Sequence, residues 1–123
     1  MTTQVKKKIL VVDDDESLRK SIAITLKVKG YEVFEAEDGF SGLELTQQRR
    51  PDLVISDVYM PGMNGFVMVE TIKSDAALKD TKVIMMTSAA QAAGAWNSEP
   101  DVTYLDKGFS LPSLVETVTK VLS

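Results

Sequence analysis

The polar residues most able to do chemistry stand directly behind short apolar runs. Asp13, Asp14, Asp15 and Glu16 follow Ile9-Leu10-Val11-Val12. Asp57 follows Leu53-Val54-Ile55-Ser56. Thr87 and Ser88 follow Val83-Ile84-Met85-Met86, and Asp106 and Lys107 follow Tyr104-Leu105. If these groups share one edge, carboxylates from two runs repel each other, and a hard divalent cation resolves the repulsion. Magnesium suits one or two carboxylates, a carbonyl, several waters and a phosphate oxygen. Lys107 would help offset the charge of an incoming phosphoryl group, and Thr87 and Ser88 are hydroxyl donors suited to its oxygens. Asp57 could then act as nucleophile and form an acyl phosphate. A carboxylate is ionised at neutral pH, so no dedicated base is needed; positioning and electrostatics carry such a transfer.

Composition removes the competing chemistries. The 123 residues include no cysteine and no histidine. Disulfide frameworks, thiolate metal sites, imidazole bases, Ser-His-Asp triads and zinc-histidine clusters are therefore excluded. The net charge is -4, from 14 basic and 18 acidic side chains. That balance argues against direct nucleic-acid binding, which wants a basic face. Lys6-Lys7-Lys8 reads as a solvated lead-in to the first apolar run. No apolar run approaches the roughly 20 residues of a membrane span. Met1 to Gln4 is polar and lacks the hydrophobic segment of a signal peptide. The expectation is one soluble, cytoplasmic domain over residues 1–123, with no membrane insertion.

Two kinds of apolar pattern alternate. Ile9–Val12, Leu53–Ile55 and Val83–Met86 are short and continuous, as strands buried on both faces are. Tyr31–Ala36 alternates more and reads as a strand nearer an edge; Val102–Leu105 is a weaker fifth candidate. Between them lie helical spacings. Glu16–Lys29 carries Leu18, Ile22 and Leu26, with Gly30 as a stop. Phe40–Gln48 ends before Pro51. Phe66, Val69 and Ile72 mark a helix starting near Gly65. Leu111, Leu114, Val115, Val118, Val121 and Leu122 share one stripe, with Pro112 tolerated in the first turn. Ser88–Asp101 reads as a short or frayed helix followed by an irregular loop. Strands alternating with helices imply parallel β-α-β units, and right-handed crossovers make the doubly wound α/β form the natural outcome, with helices on both faces. In such sheets ligands sit beyond the carboxyl ends of the strands, where all four polar clusters fall.

At this point the residues resemble a family. Ile9-Leu-Val-Val-Asp-Asp-Asp-Glu16, Asp57-Val-Tyr-Met-Pro-Gly-Met-Asn-Gly65, Met85-Met-Thr-Ser88 and Tyr104-Leu-Asp-Lys107 together are similar to the receiver domain of two-component response regulators, most of all its single-domain, chemotaxis-type members. Any one piece is weak; four in order, at strand ends, are specific. The resemblance covers nearly the whole chain and implies a flavodoxin-like five-stranded parallel sheet of order 2-1-3-4-5. It implies that Asp57 accepts a phosphoryl group from a sensor histidine kinase or phosphotransfer protein. It implies Mg2+ held by Asp14 and Asp57, by Asp13 through water, and by the backbone carbonyl of Tyr59. Thr87 and Lys107 would bind the phosphoryl group with Ser88, and Tyr104 would change rotamer as Thr87 moves. Tyr59 and Ala89 stand at positions that tune hydrolysis in the family. The shift would reach the face built by the fourth helix, the fifth strand and the last helix, and from there an unknown downstream protein. The domain would catalyse only its own phosphoryl transfer and dephosphorylation.

Two departures stand out. Gly108 replaces the usual proline after the lysine, so a cis bond is not expected and Lys107 is expected to be less rigidly aimed. Trp96 and Pro100 are unusual before the fifth strand. Plainer roles compete for individual residues. Asp15 and Glu16 read as a helix N-terminal cluster, Tyr104 can be a half-buried strand aromatic, and Met60, Met63, Met68, Met85 and Met86 read as packing. Two rival functions follow. One is a phosphorylation-independent interaction module that kept the fold. The other is a haloacid-dehalogenase-type phosphatase with Asp13-x-Asp15 as nucleophile and acid, for which Ser17 is a poor match and the chain is short of a cap.

Overall fold

The computed structural model describes residues 6–60, 62–87 and 101–123. The readings for Ser88, Ala89, Trp96 and the 88–100 stretch, including the helix expected there, lie outside the described residues. So does that for Pro61.

Five strands form one parallel sheet: β1 (Lys8–Val12), β2 (Glu32–Ala36), β3 (Leu53–Asp57), β4 (Lys82–Thr87) and β5 (Val102–Asp106). Their order is β2-β1-β3-β4-β5, as the resemblance implied. The helices among the described residues are α1 (Glu16–Val28), α2 (Gly39–Arg49), α3 (Gly65–Ser74) and α4 (Leu111–Leu122).

The strand period of two sorts the apolar residues onto two faces. Ile9 and Val11 of β1, Leu53 and Ile55 of β3, and Ile84 and Met86 of β4 pack against Ile22 and Leu26 of α1 and Leu114 and Val118 of α4. Leu10, Val12 and Val54 point the other way, onto Met68 and Ile72 of α3 and the half-buried Leu43 and Leu45 of α2. Val83 and Met85 join Val58 and Val69, with Tyr104 and Phe66 at the margin. Covering on both faces explains why the central strands read as continuous apolar runs. Four of the five methionines read as packing residues are buried, and Met63 is half-buried.

The helix ends carry the chemistry expected of them. Asp15 caps α1, its Oδ1 accepting from Leu18 N–H at 3.1 Å. Asp38, Asn64 and Ser110 cap α2, α3 and α4 in the same way. Such caps satisfy N–H groups that the first turn leaves without partners. Gly30, at φ 101°, follows the end of α1. Pro112 sits in the first turn of α4, where its missing N–H costs no helical bond.

Candidate functional site

Strand register brings the acidic residues together. Val12 pairs with Ser56 across β1 and β3, so Asp13 and Asp57 come one step later on neighbouring strands. Strand order switches direction here, since β1 lies between β2 and β3. On the other side, Asp57 pairs with Met86 and Thr87 with Asp106. Lys107 is therefore one step past the β4–β5 ladder, and its N–H donates to the Thr87 carbonyl at 3.0 Å. β3 runs two residues beyond its apolar stretch, so Asp57 is the last residue of the strand rather than part of the loop.

The side chains meet accordingly. Carboxylate oxygens of Asp13, Asp14 and Asp57 all lie within 4.8 Å of one another. Asp13 is fully buried, Asp57 is 6% exposed, and Asp14 faces solvent. Lys107 Nζ donates to Asp57 Oδ2 at 2.6 Å. Asp57 Oδ1 accepts the Tyr59 N–H at 3.3 Å. Asp13 Oδ1 accepts the Asp15 N–H at 2.9 Å, while its buried Oδ2 has no hydrogen-bond partner among the described residues.

This crowding shows in the ionisation equilibria. Burial raises the Asp13 carboxyl from its ordinary 3.8 to about 6. The Asp15 N–H and the Lys107 charge oppose that rise, and the charges of Asp57 and Asp14 add to it. For Lys107, partial burial alone would lower the ammonium. The hydrogen bond to Asp57 and the charges of Asp57, Asp13 and Asp14 outweigh it, and the net shift is upward.

A buried carboxylate oxygen without a donor, beside two more carboxylates, is costly unless a cation joins it. The donor set is all oxygen and partly open to water through Asp14, which fits a hard divalent ion such as magnesium. Asp13, Asp14 and Asp57 are the side chains that would hold it.

The surrounding chain is built to keep Asp57 in place. Gly65, the first residue of α3, donates its N–H to the Val58 carbonyl at 2.7 Å. A Cβ at Gly65 would fall 2.3 Å from the Asp57 carbonyl oxygen. Ser56 Oγ donates to that same oxygen at 2.8 Å. At Gly62, φ is 78° and the ring of Phe40 occupies the space a side chain would need. Thr87 is buried at the end of β4. Tyr104 is half-buried with its hydroxyl shielded from solvent. Tyr59 is exposed beside the carboxylates.

The turn after Lys107, where Gly108 stands in place of the usual proline, carries its own hydrogen bonds. Gly108 N–H donates to Asp106 Oδ1 at 2.7 Å and Phe109 N–H to the Asp106 carbonyl at 3.0 Å. These bonds tighten the turn without a proline, and no described peptide bond is cis. The sequence reading missed Arg19, which is buried and donates to the Asp13 carbonyl oxygen at 2.9 Å. Its signal was a charge on the apolar stripe of α1, three residues before Ile22.

The response regulator receiver domain model matches residues 9–119. Protein PilH of Pseudomonas aeruginosa is 32% identical over 118 residues, covering 94% of this chain and 98% of that protein. The DNA-binding dual master transcriptional regulator RpaA of Synechocystis is 31% identical over 118 residues. The alignment takes in 94% of this chain but 48% of RpaA, so this chain spans about half the length of that relative. Among solved structures, chemotaxis response regulator CheY4 of Vibrio cholerae superposes with a TM-score of 0.87 at 33% identity, covering 96% of this chain and 100% of that one.

Proposed function

The chain belongs to the response regulator receiver family, and from that premise we propose that it is a phosphorylation-controlled signalling switch whose acceptor is Asp57. The single observation that carries this reading is a buried Asp57 carboxylate set between the Lys107 ammonium and the Asp13–Asp14 pair. An Asp57 oxygen attacks the phosphorus of a phosphohistidine on a sensor kinase or phosphotransfer protein. The P–N bond breaks, its electron pair goes to the imidazole nitrogen, and an acyl phosphate forms on Asp57. Lys107 exchanges its bond to the carboxylate for one to a phosphoryl oxygen. Thr87 and Ser88 donate to the remaining oxygens. Bound Mg2+ would supply charge neutralisation for the transferring group, held by Asp13, Asp14, Asp57 and the Tyr59 carbonyl.

The readout rests on local charge. Phosphorylation adds about -1.5 to -2 of charge and strong acceptors. Thr87 gains a bond only in that state, so the state in which it has moved is selectively populated. Tyr104 on β5, its hydroxyl shielded in this conformation, is the residue that follows. The partner on the output side is a protein in the cytoplasm. The domain spans residues 1–123 and acts as a signalling module, catalysing only its own phosphoryl transfer and hydrolysis.

The test is incubation with acetyl phosphate, with and without Mg2+, followed by peptide mass spectrometry of the hydroxylamine-labile adduct. The expected result is Mg2+-dependent label on Asp57 that disappears in Asp57→Asn. Label on Asp13 instead would favour a phosphatase. No label under any condition would favour a phosphorylation-independent interaction module.

A further inference from the structure

Arg19 lies on the inward face of α1 and is only 8% exposed. Burying a guanidinium is costly unless it is paired and hydrogen-bonded, so its partners are informative. Nη1–H donates to the Asp13 carbonyl oxygen at 2.9 Å, and Nε–H donates to Glu35 Oε1 on β2 at 3.1 Å. Lys20 reaches the same Glu35 oxygen from the surface at 3.4 Å.

These bonds close a frame around one residue. The Asp13 N–H donates to Ala36 O on β2 at 3.1 Å. The Asp13 carbonyl is held by Arg19, which Glu35 ties back to the same strand. The Asp13 carboxylate in turn accepts from Asp15, the cap of α1. A peptide unit is rigid and planar, so fixing the Asp13 carbonyl also fixes the plane from which Asp14 departs.

We propose that Arg19 is a positioning residue for the acidic pocket, its guanidinium clamping the Asp13 carbonyl to Glu35 so that the Asp13 and Asp14 carboxylates are pre-aimed at one cation. The inference rests on the proposed cation site. It adds a residue that touches neither cation nor phosphoryl group and acts through the main chain. Outer groups of this kind orient metal ligands elsewhere, and their loss typically weakens metal binding by about 10- to 100-fold.

The experiment is calorimetric Mg2+ titration of the full chain, unphosphorylated, at a temperature where every variant is folded. Arg19→Met, which keeps the bulk of the side chain, should weaken Mg2+ binding by about 10-fold or more. Glu35→Gln, which loosens the clamp but leaves Arg19, should weaken it by a smaller factor. Lys20→Ala, whose side chain reaches only Glu35 among the described residues, should leave it unchanged. Without Mg2+, the Asp15 amide should exchange faster with solvent in Arg19→Met than in the wild type. A merely structural arginine would lower the melting temperature and leave both readouts at their wild-type values, overturning the proposal. If Arg19→Met does not fold, Glu35→Gln decides, and unchanged affinity there overturns it. Wild-type protein that binds no Mg2+ would sink the proposed function and this inference with it. Wild-type binding with unchanged variants sinks the inference alone.

Discussion

The Lys107 ammonium lies 2.6 Å from Asp57 Oδ2, fifty residues away in sequence. The lysine side chain is 40% exposed and the aspartate side chain 9%. A pair open to water on one side contributes little to folding, about 1 kcal/mol or less. Its position matters more. The ammonium occupies the carboxylate that a cation and a phosphoryl group would share. Lys107→Ala removes the donor to a nearly buried carboxylate oxygen and should lower the unfolding free energy by about 1–3 kcal/mol, more than the pair itself contributes. The same substitution should tighten Mg2+ binding roughly three- to ten-fold, because one competing positive charge is gone. Acceptance of the phosphoryl group should slow sharply. Calorimetry and phosphodonor kinetics on one preparation check all three, and weaker Mg2+ binding in the variant would contradict the competition.

Asp13 makes a pH-dependent prediction with a definite sign. Its folded-state carboxyl titrates at about 6, above its ordinary 3.8. The folded state thus holds its proton more tightly than the unfolded chain, and stability is lost as pH rises between those values. Asp13→Asn removes the titration and gives the position of Oδ2 a neutral amide. The variant should be more stable than wild type above pH 6 by about 1–3 kcal/mol in the absence of cation. The difference should close as pH falls toward 4. Mg2+ affinity of the wild type should run the other way, falling below pH 6 as the proton competes. Urea unfolding at two pH values, with chelator present, tests the first claim; an advantage for Asp13→Asn that grows at low pH would refute it.

Much of this site was legible in the sequence because parallel strands put their carboxyl ends on one edge. Asp13, Asp57, Thr87 and Lys107 each follow an apolar run, so a parallel sheet suffices to gather them. Three things were not legible. Asp13 and Asp14 are chemically identical neighbours, yet one is fully buried and the other exposed. That split depends on where the pleat of β1 ends, not on residue type. The reach of β3 to Asp57 was hidden because Ser56 and Asp57 interrupt the apolar pattern while remaining in the ladder. The bond that holds the turn after Lys107, from the Gly108 N–H to the Asp106 carboxylate, was hidden as well. Local side-chain bonds of that kind leave no periodic trace.

Asp101, immediately before β5, offers a test of how that edge strand is anchored. Its carboxylate meets Lys82 at 2.9 Å and Lys73 at 3.5 Å. The Lys82 hydrogen bond is the main reason its carboxyl is held below the ordinary value; burial opposes it, and the Lys73 and Lys82 charges and the Lys73 hydrogen bond add to the lowering. A depressed carboxyl stabilises the fold above its unfolded value near 3.8, and that contribution disappears as pH falls through the folded value. Asp101→Asn should cost about 1 kcal/mol or less at neutral pH, and raising the ionic strength should shrink the difference. Thermal melts at low and high salt read this directly; a salt-independent loss would point to packing rather than charge.

Gly65 gives the sharpest link between backbone and chemistry. A Cβ there would stand 2.3 Å from the Asp57 carbonyl oxygen, 2.8 Å from Met85 Cε and 3.1 Å from Val58 Cα. Two of these neighbours are main chain, so no rotamer change relieves the contact. Either the start of α3 moves away or the Asp57 peptide tilts. The first loses the 2.7 Å bond from Gly65 N–H to the Val58 carbonyl; the second turns the Asp57 carboxylate away from Lys107. Gly65→Ala should accordingly lower stability by about 1–3 kcal/mol, the range for overpacking a closed site. It should also cut phosphoryl acceptance in the molecules that remain folded. Gly30, at φ 101° with open space around its Cα, is the control. Gly30→Ala should destabilise through backbone strain alone and leave the rate per folded molecule unchanged. If both alanine variants lose stability yet accept phosphoryl groups at the wild-type rate, the close approach of α3 does not position Asp57.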